Sequence, residues 1–128
     1  SLGNIGAAFA APSAGVFTFP ETGIWQVQTT VQFYPSGGYY NQAFFETYVT
    51  DDDGVTWVRA GLQTPYIQDV TSGGGSGIST PLDITDLSND KIKFQVKETT
   101  TSGSAVLVIN GSASIPETWV TFVKLGDT

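Results

Sequence analysis

Two stretches of this chain carry side chains that could do more than fold. One is the carboxylate run Asp51-Asp52-Asp53. The other is Tyr34-Pro35-Ser36-Gly37-Gly38-Tyr39-Tyr40-Asn41-Gln42. Three carboxylates could offer oxygens to Ca²⁺, a hard cation that takes roughly six to eight such ligands. The run lacks the spacing and the closing Glu of a calcium loop, and neighbouring side chains of a strand or turn point apart. The tyrosine stretch suits a sugar. Flat apolar faces can cover a pyranose ring, and amides can bond its hydroxyls. The candidate receptor contacts are Tyr34, Tyr39, Tyr40 and Asn41, with Tyr66 of Thr64-Pro65-Tyr66 extending the surface. The competing reading is a long hairpin whose tyrosines pack on a neighbouring strand or subunit.

The chemistry of catalysis is thinly represented. There is no histidine, the usual general base and zinc ligand, and no cysteine, so disulfides and thiolate metal sites are excluded. Nothing in the spacing of Glu21, Glu46, Glu98 and Glu117 brings two acids to one cleft, as glycoside hydrolysis needs. Thr71–Thr80 (TSGGGSGIST) is glycine-rich, but no Lys-Ser/Thr follows it and it opens no helix, so it reads as a connector and not a phosphate loop. Asn110-Gly111-Ser112 fits both a glycosylation sequon and a turn. We expect no enzyme and no cofactor.

Five basic residues face twelve acidic ones, a net charge of −7. That balance argues against nucleic acid and against anionic membrane surfaces, both of which call for cationic side chains. No apolar run is long enough to cross a bilayer as a helix. The chain carries no initiator Met, and we expect a piece of a longer polypeptide.

The elements that must position these residues read as strands. Ile24–Phe33 alternates strictly: Trp25, Val27, Thr29, Val31 and Phe33 share one face, and Ile24, Gln26, Gln28, Thr30 and Gln32 the other. Residues 43–50 (AFFETYVT) alternate again. Asp51–Gly54 supplies a hairpin turn, and Val55–Leu62 returns as a strand. Lys91–Glu98 sets Ile92, Phe94 and Val96 inward and Lys91, Lys93, Gln95 and Lys97 outward; Ala105–Ile109 and Thr118–Leu125 complete the set. The length fits one domain, 1–128. About eight short strands without a helical stripe predict an all-β sandwich or jelly roll.

The last strand is apolar on both sides. Trp119, Thr121, Val123 and Leu125 face one way, and Val120, Phe122 and Lys124 the other. One side can fill the core. The second needs another cover, and we expect a further copy of the chain to meet Val120 and Phe122. A long loop folded over that face is the alternative.

Phe17, five residues, Gly23, one residue, Trp25, one residue, Val27 is similar to the signature of the globular heads of complement component one, subcomponent q. Leu87–Val96 resembles that family's strand after a turn Asp, and Thr118–Leu125 its closing strand. Thr29 and Asn89 depart from the pattern, where the family prefers an aromatic and a Gly. The resemblance implies a tumour-necrosis-factor-like jelly roll of about eight to ten antiparallel strands, assembled as a homotrimer around an apolar inner sheet. Relatives of this kind occur at the tips of phage and other viral fibres. We therefore expect a non-enzymatic trimeric head, on a virion surface or extracellular, that attaches to a host-surface glycan or protein. The alternatives are a structural virion decoration, a trimerisation cap without a ligand, or a secreted ligand-like protein.

Thr50-Asp51-Asp52-Asp53-Gly54-Val55-Thr56-Trp57 resembles the Asp-box hairpin of sialidases. In that motif the Asp and hydroxyl groups bond the turn backbone and the aromatic packs beneath. The resemblance implies a self-supporting turn.

Overall fold

A computed structural model of the chain describes residues 9–36, 43–64, 74–98, 106–109 and 118–128; for 34–36, 74, 98 and 106–109 it describes the backbone alone. Eight strands follow one another, with no helix among the described residues: β1 (Val16–Thr18), β2 (Gly23–Ser36), β3 (Ala43–Thr50), β4 (Val58–Gln63), β5 (Gly74–Ile84), β6 (Lys91–Glu98), β7 (Val106–Ile109) and β8 (Trp119–Gly126). They form two antiparallel sheets. One runs β1-β6-β3-β4. In the other β5 pairs one edge of β2, and β7 and β8 share its opposite edge. The hairpin pairings are nested: β3 with β4, β2 with β5 outside it, and β1 with β6 outside that.

The alternation of β2 decides the layers. Trp25, Val27, Val31 and Phe33 are buried between the sheets, whereas Gln32 and Ile24 on the other side are exposed. Two apolar clusters result. Phe19, Trp25, Val27, Ile84 and Ile92 form one; Val31, Phe33, Ala43 and Phe45 form the other. Between them the inward positions turn polar, with Thr29, Thr47, Gln63 and Thr80 all buried. Gln63 Nε2 donates to Thr29 Oγ1 and so links the two sheets across this seam.

Gly23 explains why the chain can enter β2 here. Its φ is +143°, and a Cβ would lie 2.5 Å from the carbonyl oxygen of Gly126. Only glycine lets β8 come that close to the start of β2. Trp25, two residues on, donates its indole N–H to the Glu21 carbonyl at 3.2 Å, so the ring is buried without an orphaned donor.

Three expectations need correction. Thr71–Thr80 was expected as a connector, yet Gly74–Ile84 is a strand paired with β2 over its whole length, from Phe33↔Gly74 to Gly23↔Ile84. A regular partner supplies the hydrogen bonds that glycine's weak strand preference does not. Val55–Trp57 belongs to the turn, and β4 begins at Val58. The third correction is the orientation of β8. Val120 and Phe122 face their own core. Phe122 stacks on Phe9 at 4.2 Å between ring centres and meets Phe17, Phe19 and Phe94. The register explains this, because Phe122 stands opposite Val27 and Val120 opposite Thr29, both buried. The side of β8 left to solvent carries Trp119, Val123 and Leu125.

Candidate functional site

The best-built surface feature is the turn between β3 and β4. Thr50 Oγ1 donates to Asp52 Oδ1 at 2.6 Å and accepts from the backbone N–H of Asp52 and of Gly54, at 3.3 and 3.1 Å. Asp52 Oδ1 also accepts the Thr56 N–H at 2.8 Å. The Thr50 hydroxyl first, and the Thr56 amide after it, hold the Asp52 carboxyl below the usual aspartate range. Asp53 and Gly54 take positive φ of 57° and 88°, and the Trp57 ring packs under Gly54. Asp53 does not turn toward Asp51 or Asp52; it pairs with Lys91, which also donates to the Ser88 carbonyl. The possible cation site at Asp51, Asp52 and Asp53 is thus corrected to a self-supporting turn, and no cluster of three or more acidic ligands converges among the described residues.

A second turn locks to the first. Asp90, nearly buried, accepts the Thr85 and Asp86 N–H groups at 2.7 and 2.8 Å. The Ser88 amide lowers the Asp86 carboxyl, and the Asn89 side chain adds to the effect. The Asp53 N–H reaches the Asn89 carbonyl at 3.2 Å. Thr18, Thr50 and Lys91 meet at this end, as do Gly23, Ile84 and Gly126. The sandwich therefore has an acidic pole that gathers Glu21, Asp51, Asp52, Asp53, Asp83, Asp86, Asp90 and Asp127. A cleft of ≈ 190 Å³ opens there between β3, β4 and β5, floored by Val49, Leu82 and Ile84. Lys124, also at this pole, bonds Asp127 at 2.8 Å and pairs with Glu21 at 3.3 Å; Asp127 first, then Glu21, raise its pKa.

The flanks of the sandwich differ from this pole and from each other. The outer face of the β5-β2-β8 sheet has Gln26, Gln28 and Thr30 in its centre, with Val123, Thr121 and Trp119 opposite them on β8. Pro81, Ser79 and Gly77 stand opposite on β5. Ile24, Val123 and Leu125 are exposed by 41%, 38% and 59%, and Trp119 by 37%. Among the described side chains its one carboxylate is Asp83, at the polar end opposite Ile24.

The outer face of the β1-β6-β3-β4 sheet carries four of the chain's five basic residues: Lys91, Lys93, Lys97 and Arg59. The register sets Lys97 beside Phe44, Gln95 beside Glu46, and Lys93, Tyr48 and Arg59 in one row. Glu46 is almost buried and already engaged, by Arg59 at 2.8 Å and by the Tyr48 hydroxyl at 2.9 Å. Its carboxyl is held low by the Arg59 hydrogen bond first, against the opposing effect of burial, with help from Tyr48 and the charge of Lys97. That same Glu46 bond pushes the Tyr48 hydroxyl up. Lys93 has no carboxylate partner among the described residues. Its Nζ lies 4.1 Å from the Trp57 ring centre and 5.7 Å from that of Tyr48.

The expected receptor contacts Tyr39, Tyr40, Asn41 and Tyr66 lie outside the described residues, and of Tyr34 only the backbone is described, paired with Val108. The Lys93–Trp57–Tyr48–Arg59 cluster was not expected. The period-2 lysines of β6 were legible as one outward row. That Arg59 and Trp57 join them follows only from the β3–β4 pairing, which skips a residue between Thr47 and Tyr48. Comparison with known proteins gives no match to a family model, to a curated protein or to a solved structure.

Proposed function

We propose that this chain is a non-enzymatic binding head that assembles as a homotrimer, at the tip of a phage or viral fibre or at another extracellular surface, and attaches to a host-surface glycan or protein. The observation that carries the proposal is the outer face of the β5-β2-β8 sheet. Identical chains of charge −7 repel, so association is favoured through the flank that bears the fewest charged side chains. This face holds amides, hydroxyls and the exposed Ile24, Trp119, Val123 and Leu125. Gln and Thr can satisfy one another across such a contact without desolvating charge. The nested pairings of β1 with β6, β2 with β5 and β3 with β4 support a jelly roll, in which a long hairpin ribbon is rolled into two sheets. The number three comes from the resemblance of Phe17, Gly23, Trp25 and Val27 to trimeric heads.

Trimers turn weak single sites into firm attachment by effective concentration. Sedimentation at micromolar protein tests the assembly: a trimer is expected, reduced to monomer by Val123→Glu with Trp119→Ser. A folded monomer in the wild type overturns it. Adsorption to host cells tests attachment, and Tyr39→Ala should weaken it while the trimer persists.

A further inference from the structure

We propose that the outer face of the β1-β6-β3-β4 sheet is a separate binding surface for an acidic oligosaccharide, a sugar chain bearing more than one carboxylate or sulfate. The surface depends neither on self-association nor on the tyrosine loop.

Charge segregation is the first ground. A chain with twelve acids and five bases sets four of those bases on one sheet face. Asp53 of the adjoining turn pairs with Lys91, and the one carboxylate that the register adds among the described side chains is that of Glu46. Arg59 and Tyr48 occupy that carboxylate. The acidic pole does not cancel the charge at the far end of the face, where Lys97 stands. Lys97 is six strand residues from Lys91, about 20 Å, which exceeds two screening lengths of about 8 Å at physiological salt.

Preorganisation is the second. Lys93 is held by aromatic faces and, among the described residues, not by an acid. Trp57 is itself fixed beneath Gly54 by the Thr50–Asp52 turn. The donors of the ammonium are left for an outside anion, and little side-chain freedom is left to lose on binding.

Spacing and chemistry choose the ligand. Lys93 and Lys97 are about 13 Å apart along β6, and Lys93 and Arg59 about 10 Å apart across the strands. Between them stand Gln95, an amide for hydroxyls, and the half-buried ring of Phe44 beside Lys97. Sparse charges separated by hydrogen-bonding and apolar positions fit a sugar chain charged at intervals. A nucleic acid strand carries a phosphate every ~3.4 Å. It would meet these few cations and also press its surplus charge against the acidic pole.

Titration calorimetry on the whole chain tests this with a sulfated hexasaccharide, a hexa-uronate, a neutral hexasaccharide, oligothymidylate and polyglutamate. Either acidic sugar should bind, the better of the two naming the charged group, and the affinity should fall steeply with salt. Neither the neutral sugar nor the two non-sugar anions should match it. Lys97→Glu, a change at an exposed side chain outside the Trp57 stack, should weaken binding at least tenfold with the circular dichroism spectrum unchanged. Lys93→Gln should do the same. Failure of both acidic sugars to bind, indifference to both substitutions, or equal binding of oligothymidylate or polyglutamate overturns the proposal. A wild type that adsorbs to host cells but ignores both acidic sugars overturns this surface and leaves the attachment reading standing. Sugar binding without cell adsorption does the reverse.

Discussion

The two outer faces of this sandwich arise from the same period-2 alternation and carry different chemistry. On one sheet the outward positions are Gln, Thr and a fringe of exposed Ile24, Trp119, Val123 and Leu125. On the other they are Lys, Arg, Tyr and Phe, with one acid consumed locally. Net charge describes neither. Among the described residues, a chain of −7 gathers most of its acids at one pole, which leaves one flank with Asp83 as its one described carboxylate and the other basic. The difference separates two kinds of partner. On the readings proposed above, the amide-and-hydroxyl flank would meet its own copy with little charge to desolvate, and the basic flank would meet an anion.

Substitutions can break or sharpen this contrast. The largest effect is expected at Gly23, which ties β8 to β2 and so assembles the amide-and-hydroxyl face. Gly23→Ala puts a methyl 2.5 Å from the Gly126 carbonyl oxygen at a φ of +143°. It should cost about 3–4 kcal/mol in chemical denaturation. Phe122→Ala should cost about 3 kcal/mol, because the ring is part of the aromatic cluster with Phe9 and Phe94. Val123→Ser, one residue along on the opposite side, should stay within about 0.5 kcal/mol of the wild-type protomer while weakening self-association. Equal destabilisation by both substitutions would erase the inside–outside assignment of β8.

Thr50→Val removes the hydroxyl that bonds Asp52 and two backbone N–H groups, and should cost about 1–2 kcal/mol. Through Trp57 it should also loosen Lys93 on the basic flank, which would appear as faster exchange of the Gly54 and Thr56 amides.

The smallest effect is that of pH. Asp52, Asp86 and Glu46 all have carboxyls lowered by hydrogen bonds in the fold. Their contribution is complete above the unfolded values, at about pH 4, and is lost as pH falls through the lower folded values. With no histidine, the thermal midpoint should be flat between about pH 5 and 8 and decline only below about pH 4. A transition near neutrality would contradict this account.

Much of the fold was legible because alternation is local. The core positions Trp25, Val27, Val31 and Phe33 could be read from β2 alone, and so could the outward lysines of β6. The hydrogen-bonded start of the β3–β4 turn, Thr50–Gly54, was equally legible, since its bonds join residues a few positions apart, but its extension through Trp57 was read as strand. What failed was what depends on a partner strand. Gly74–Ile84 has too little side chain to announce a strand, and it becomes one because β2 lies beside it. β8 is apolar on both sides, so its own pattern could not say which side is inside; Val27 and Thr29 across the ladder decide that. Of the tyrosines chosen as receptor contacts, Tyr39, Tyr40 and Tyr66 lie outside the described residues, and of Tyr34 only the backbone is described.

By itself, then, the sequence determined strand period, turn chemistry, the lack of histidine and cysteine chemistry, and the surplus of acid. These are properties of residues and their near neighbours. Tertiary structure decided which face of β8 is buried and where the few cations gather. Facing and clustering depend on residues such as Lys93, Tyr48 and Arg59, brought into one row only by the pairing of β3 with β4 and β6.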